Sequence, residues 1–130
     1  MTNTVNDAFD MSSAFDTRLN DGDLEGLLAL LAPGAISRTP QGEVLEDPQA
    51  IRANLAGLIT AGARLHNRPR LVLTSGDVAL LLIDWTLELA NVGGTPTMTG
   101  TTTNVVTRTG ADDGWRLAIL NPIGTAGEGA

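Results

Sequence analysis

The spacing of apolar residues changes midway along the chain, and the change divides it into a helical half and a stranded half. Val5, Ala8, Phe9, Ser12, Phe15 and Leu19 recur at three- and four-residue intervals, which predicts an amphipathic helix over residues 4 to 20 that ends at Asn20-Asp21-Gly22. Leu24, Leu27, Leu28 and Leu31 continue the same period in a second helix, with Asp23 and Glu25 placed where the helix dipole favours acidic groups. Pro33-Gly34 is the expected stop. Ala35-Ile36-Ser37-Arg38 and Glu43-Val44-Leu45 read as a small hairpin around Pro40-Gln41-Gly42. Asp47-Pro48 then opens a third helix, with Asp as the cap, Pro in the first turn, and Ile51, Leu55, Leu58 and Ile59 as its apolar stripe up to Gly62.

From there the period shortens to that of strands, near residues 64 to 74, 78 to 90, 96 to 108 and 115 to 123. The breaks at Ser75-Gly76-Asp77, Asn91-Val92-Gly93-Gly94 and Gly110-Ala111-Asp112-Asp113-Gly114 are turn sequences. Helices first and long antiparallel strands second predict an α+β fold, with the helices on one face of a curved sheet. The 130 residues are expected to form a single domain with an ordered core over about residues 5 to 124 and a frayed Gly- and Ala-rich tail.

Composition narrows the chemistry. With no cysteine there are no disulfides, thiolate nucleophiles or thiolate metal sites, and a lone histidine, His66, excludes a multi-histidine metal centre. A net charge of -7 disfavours nucleic acid and anionic membranes as partners and leaves a neutral or cationic small molecule. The N-terminus lacks the basic and apolar regions of a signal peptide and no apolar run is long enough to span a membrane, so a cytoplasmic location is expected.

The order of elements, together with Asn20-Asp21-Gly22-Asp23-Leu24-Glu25-Gly26-Leu27, Thr39-Pro40-Gln41-Gly42, Asp47-Pro48-Gln49-Ala50-Ile51 and Gly114-Trp115-Arg116-Leu117, resembles the nuclear transport factor 2-like superfamily. Within it the chain is most similar to the ketosteroid isomerase-like and SnoaL-like polyketide cyclase branch. The resemblance implies a cone-shaped sheet wrapped around three N-terminal helices, an interior pocket for an apolar small molecule, and commonly a homodimer through the outer sheet face. It also implies where isomerase groups would stand: the tyrosine position falls on Phe15, the base on Thr39 and the protonated aspartate on Asn104. A phenyl ring donates no hydrogen bond and a threonine hydroxyl is a poor base, so the isomerase mechanism itself is not expected.

Asp84 is then the best remaining carboxylate for acid-base work, because it interrupts the run Val78-Ala79-Leu80-Leu81-Leu82-Ile83. Simple alternation points it outward with Leu80 and Leu82; the resemblance places all three on the pocket wall, and the two readings stay open. An Arg-x-Asp pair like that of the limonene-epoxide hydrolases would need arginine where this chain has Leu82. Asp84 and Asn104 are the catalytic candidates, with Phe15, Thr39, Leu80, Leu82, Thr102 and Asn121 as ligand contacts. Trp85 and Trp115 read as core or interface anchors, and His66 as part of an exposed arginine-rich stretch. The expected function is a small-molecule pocket protein, either a cofactor-free isomerase, cyclase or lyase for an apolar ligand, or a non-catalytic binding or interaction module.

Overall fold

Asp7 delays the first helix beyond what apolar spacing alone predicts. Its carboxylate accepts from the Phe9 N–H at 3.0 Å and opens a short 3-10 turn, Ala8–Asp10, that runs into α1, Met11–Asn20. Val5 is drawn off instead into an antiparallel bridge with Trp115, whose N–H donates to its carbonyl at 2.8 Å. The computed structural model describes residues 5–39, 42–90, 97–110 and 113–124. The turns expected at Pro40-Gln41, Asn91-Val92-Gly93-Gly94 and Ala111-Asp112, and the tail beyond Gly124, lie outside the described residues.

The second helix is also shorter than its leucine spacing suggests. Asp23 caps α2, Leu24–Leu28, by accepting from Gly26 N–H at 2.9 Å. Leu31, read above as its last turn, instead begins the strand β1, Leu31–Arg38. Pro33-Gly34 does not stop a helix but sits exposed within β1, where the pairing slips between Leu31 and Ile36 and Gly34 takes a φ of 75°. Glycine adopts this left-handed backbone at no steric cost, which accommodates the slip here. The third helix follows its caps: Asp47 accepts from Gln49 N–H at 2.9 Å ahead of α3, Pro48–Thr60.

The strands β2 (Val44–Leu45), β3 (Ala63–Ser75), β4 (Val78–Leu89), β5 (Thr97–Thr107) and β6 (Arg116–Leu120) complete one sheet of order β2-β1-β6-β5-β4-β3. All pairings are antiparallel except that of β1 with β6. This is the α+β arrangement expected, a curved sheet with its helices on the concave face. The long β4 decides which residues face inward. It pairs with β5 from Val78↔Thr107 to Glu88↔Thr97 without a slip, and Ala79, Leu81, Ile83, Trp85 and Leu87 are all buried while Leu80, Leu82, Asp84 and Thr86 are not.

Two apolar clusters fill the concave side. One gathers Met11, Leu81, Ile83, Val106, Trp115, Leu117 and Leu120; the other gathers Leu19, Leu27, Ile51, Leu55, Trp85 and Leu87. Phe15 and Leu31 pack against both. Trp85 is seated over Gly100, its cross-strand partner: a Cβ there would lie 2.6 Å from the indole ring. Gly100→Ala is therefore expected to force ring or strand to shift and to destabilise the fold by about 1–3 kcal/mol, measurable as a lower urea midpoint at unchanged m-value.

One carboxylate joins α1 to β3. Asp16 accepts from the Asn67 N–H at 2.9 Å and from its Nδ2 at 2.6 Å. Burial pushes the Asp16 carboxyl up from 3.8 to about 6, against the opposing pull of the Asn67 hydrogen bonds and the His66 charge. The folded chain thus holds this proton more tightly than the unfolded one. Asp16 contributes most to stability below pH 3.8 and the contribution is lost as pH rises through about 6. In Asp16→Asn the fall in melting temperature across that window should be shallower than in the parent; equal slopes would show that Asp16 does not carry it.

Candidate functional site

A cavity of about 90 Å³ lies at the seam between the two apolar clusters. Met11, Phe15 and Leu19 of α1, Leu55 and Leu58 of α3, Ile83, Trp85 and Leu87 of β4, and Leu117 and Leu120 of β6 form most of its wall. The polar residues of the lining are Ser12, Ser37, Thr102, Asn54, Asn67, Asn104 and Arg38. Among the described residues no Asp, Glu or His lines it.

The turn after β6 organises that polar lining. The Pro122 carbonyl accepts from Trp85 Nε1 at 2.6 Å and from Thr102 Oγ1 at 2.9 Å, which fixes two lining side chains from one oxygen. Asn121 fixes two more. Its Oδ1 accepts from Arg38 Nη1 at 2.8 Å, and the same nitrogen donates to the Gly124 carbonyl at 2.9 Å. Its backbone N–H donates to Asn104 Oδ1 at 2.8 Å. A backbone N–H can be met only by the amide oxygen, so this contact assigns the Asn104 amide and leaves its Nδ2 as a donor. Among the described residues neither that Nδ2 nor the Asn54 side chain has a hydrogen-bond partner.

The residues singled out in the sequence separate into three places. Phe15, Thr102 and Asn104 meet in the cavity wall, with Asn121 bonded to Asn104 just behind it. Thr39 closes the β1–β2 hairpin, where its Oγ1 accepts from the Glu43 N–H at 3.1 Å, and it does not line the cavity. Leu80, Leu82 and Asp84 are on the outer face of the sheet, so the placement implied by the resemblance is corrected. The reason is the unbroken β4–β5 ladder; the irregularity falls in β3, between Pro69 and Leu71, and leaves the facing of β4 untouched.

On that outer face Asp84 accepts from Arg70 Nη2 at 2.6 Å and Nε at 3.1 Å, and from Thr101 Oγ1 at 2.9 Å. The hydrogen bonds from Arg70 and then Thr101 hold its carboxyl below the ordinary value of 3.8. It is an ionised partner in an ion pair, the opposite of a carboxyl poised near neutrality. His66 faces a shallow groove between α1 and β3 that also holds Asp16. Sequence reading missed Arg38, Asn54 and Asn67. Asn54 was within reach, since it adjoins Leu55 and Leu58 on the apolar stripe of α3, and so was Asn67, which alternates with Ala63 and Leu65. Arg38, at the end of a short strand, carries no periodic signal.

The family profile of the SnoaL-like domain matches residues 13–116. No protein of curated function matches the chain. Several solved structures share its fold at low identity. A Thiobacillus denitrificans protein provisionally described as a calcium/calmodulin-dependent protein kinase type II association domain aligns at 20% identity over 91% of this chain and 94% of its own, with a TM-score of 0.74. A nuclear transport factor 2-like protein of cystatin-like fold from Novosphingobium aromaticivorans aligns at 20% over 93% of this chain and 81% of its own, TM-score 0.73. A Streptomyces avermitilis protein of that family, provisionally described as a dehydratase, aligns at 22% over 85% and 87%, TM-score 0.72. These likenesses concern the backbone, and with the profile they give the assignment its basis: the chain belongs to the SnoaL-like domain family and carries its pocket on a nuclear transport factor 2-like scaffold.

Proposed function

We propose that this protein binds a compact, largely apolar small molecule in the cavity between α1, α3 and the sheet, as a binding protein rather than as an acid-base catalyst. The observation that carries this reading is the lining itself: a dense apolar wall with a few hydroxyl and amide residues and, among the described residues, no Asp, Glu or His. Proton transfer needs a titratable group within hydrogen-bond reach of the reacting atom, with a pKa near the working pH. Asp84 is ionised on the other side of the sheet, and Asp16 lies beyond Asn67 in the neighbouring groove. The dehydratase description of the Streptomyces relative therefore finds no matching acid or base in this cavity. At about 90 Å³ the space is well below the roughly 300–1,000 Å³ of drug-sized sites, which favours a single ring or a short branched chain.

Trp85 provides the readout because its indole lines the cavity, whereas Trp115 does not. Titration with small aromatic and branched aliphatic compounds is expected to give a saturable change in tryptophan fluorescence, with a matching one-to-one adduct in native mass spectrometry. Leu58→Phe, which fills the cavity from a half-buried helical position, should weaken that binding at least about tenfold. A folded protein that binds no member of such a panel would sink the reading.

The same reading includes a second copy of the chain on the outer sheet face. The pairs Leu71↔Leu82, Leu73↔Leu80, Leu80↔Val105, Val105↔Ile119 and Ile36↔Ile119 put a continuous apolar row across β3, β4, β5, β6 and β1. Leu73 is 53% exposed and Ile36, Leu71 and Ile119 are exposed beside it. The neighbouring Asp84 is neutralised by Arg70, so this face can meet its own copy despite the net charge of -7. Leu82→Arg should convert a dimer to a monomer in light scattering while retaining ligand binding; a parent that is monomeric at micromolar concentration would contradict this.

A further inference from the structure

The cavity and the groove between α1 and β3 share three lining residues, Ser12, Leu65 and Asn67. We infer that Asn67 is the partition between the two spaces and sets the length of ligand that the cavity accepts. The inference rests on the pocket reading above and adds to it a residue that selects by size.

The partition follows from β3 being the last strand of the sheet. The outer edge of such a strand has backbone groups with no neighbouring strand to pair them. Here α1 meets them with two side chains one helical turn apart. Asn20 accepts from the Leu65 N–H at 2.8 Å and donates to the Leu65 carbonyl at 2.9 Å, while Asp16 accepts from the Asn67 N–H at 2.9 Å. The Asn67 side chain follows its backbone across the seam: its Nδ2 donates to Asp16 Oδ1 at 2.6 Å and lies 3.5 Å from the Ser12 carbonyl. At neutral pH, above the Asp16 pKa of about 6, both donors of Asn67 meet an ionised acceptor, the stronger kind of hydrogen bond. Of the three shared residues, Asn67 is the one whose side chain crosses from β3 to α1. It also faces the cavity. Asn67 stands opposite Trp85 in the β3–β4 ladder, and residues directly opposite share a face of the sheet, so the amide is on the side where the indole lines the cavity.

Size gives the partition its consequence. The cavity holds about 90 Å³ and the groove about 380 Å³, so the groove, unlike the cavity, reaches the roughly 300–1,000 Å³ of drug-sized sites. A ligand chain that outgrew the cavity toward β3 would have to displace Asn67 and leave the half-buried Asp16 carboxylate without both of its donors, which is costly for a desolvated charge. A chain that ends within the cavity disturbs neither bond. Discrimination by length then comes from a polar contact that the ligand itself never makes.

The test uses n-alkylbenzenes from toluene to n-hexylbenzene at neutral pH, read by Trp85 fluorescence. In the parent, affinity is expected to rise about threefold per added methylene and then to stop rising within the series, where the chain meets Asn67. In Asn67→Ala the rise should continue, so that n-hexylbenzene gains about tenfold or more over the parent while toluene stays within about threefold. Should the alanine variant not fold, Asn67→Ser, which keeps a short donor beside Asp16, makes the same comparison. A parent whose affinity climbs through the whole series would overturn the partition and leave the pocket reading in place. So would a variant that shifts toluene and n-hexylbenzene by the same factor, the result a merely structural role for Asn67 gives. If no member binds parent or variant, the partition is overturned, and the pocket reading falls with it when the wider panel fails as well.

Discussion

The polar side of this cavity depends on the backbone path of the turn after β6. There the Asn121 carbonyl accepts from Thr103 N–H at 3.0 Å and from Gly124 N–H at 3.1 Å, which pins the turn to β5. Gly124 has a φ of 56°, and a Cβ on it would stand 2.9 Å from the Thr101 carbonyl, so the close approach of turn and strand requires glycine. Once the turn is fixed, the carbonyl of Pro122 and the amide of Asn121 are aimed at Trp85, Thr102, Arg38 and Asn104. A short run of backbone therefore sets the donors of β1, β4 and β5 at once, which a set of independent side-chain contacts could achieve only by ordering each group separately.

Much of the scaffold was legible in the sequence, and the reasons are local. Asp47-Pro48 is a cap and a first turn in any context, and the alternation of Ala79, Leu81, Ile83, Trp85 and Leu87 is long enough to fix the facing of β4. Leu31 misled because a helical stripe and the start of a strand look alike where the helix is short; the capped α2 ended at Leu28 and the β6 pairing took Leu31. The site was legible only in part. Phe15, Thr102 and Asn104 are in the wall, but Asp84 drew attention by interrupting an apolar run, when alternation already paired its side with Thr86 and Glu88. The partner that explains it, Arg70, sits at a slip in β3 that no periodicity marks. Asn121-Pro122 was readable as a turn, yet its hydrogen bonds run to residues as much as 83 positions away, and such contacts have no signature in local spacing.

Asp16 and Asp84 show how far environment governs a carboxylate in the same small fold. Asp16 is half-buried against α1 and β3, with an amide for a partner, and is pushed up to about 6. Asp84 has a guanidinium and a hydroxyl and is held below its ordinary value. Neither lines the cavity. Asp16, with its raised pKa, lies outside the cavity, whose described polar lining is of hydroxyl and amide residues and Arg38.

Solved neighbours of this fold at about a fifth identity carry descriptions as different as a kinase association domain and a dehydratase, so function has to be sought in lining groups rather than in the sheet that holds them. In this chain the two sides of β4 and β5 carry separate roles. Ile83 and Thr102 face the cavity while their neighbours Leu82 and Thr103 face out. A strand braced on its outer face by a second copy would hold its inner residues, Trp85 among them, against the Pro122 carbonyl with less freedom to move. The proposed dimer seam and the proposed ligand site would then lie on opposite faces of one two-sided ladder that carries apolar residues on both. The helices cover the concave side, and the cavity lies there between α1, α3 and the sheet, with the buried Trp85 in its wall.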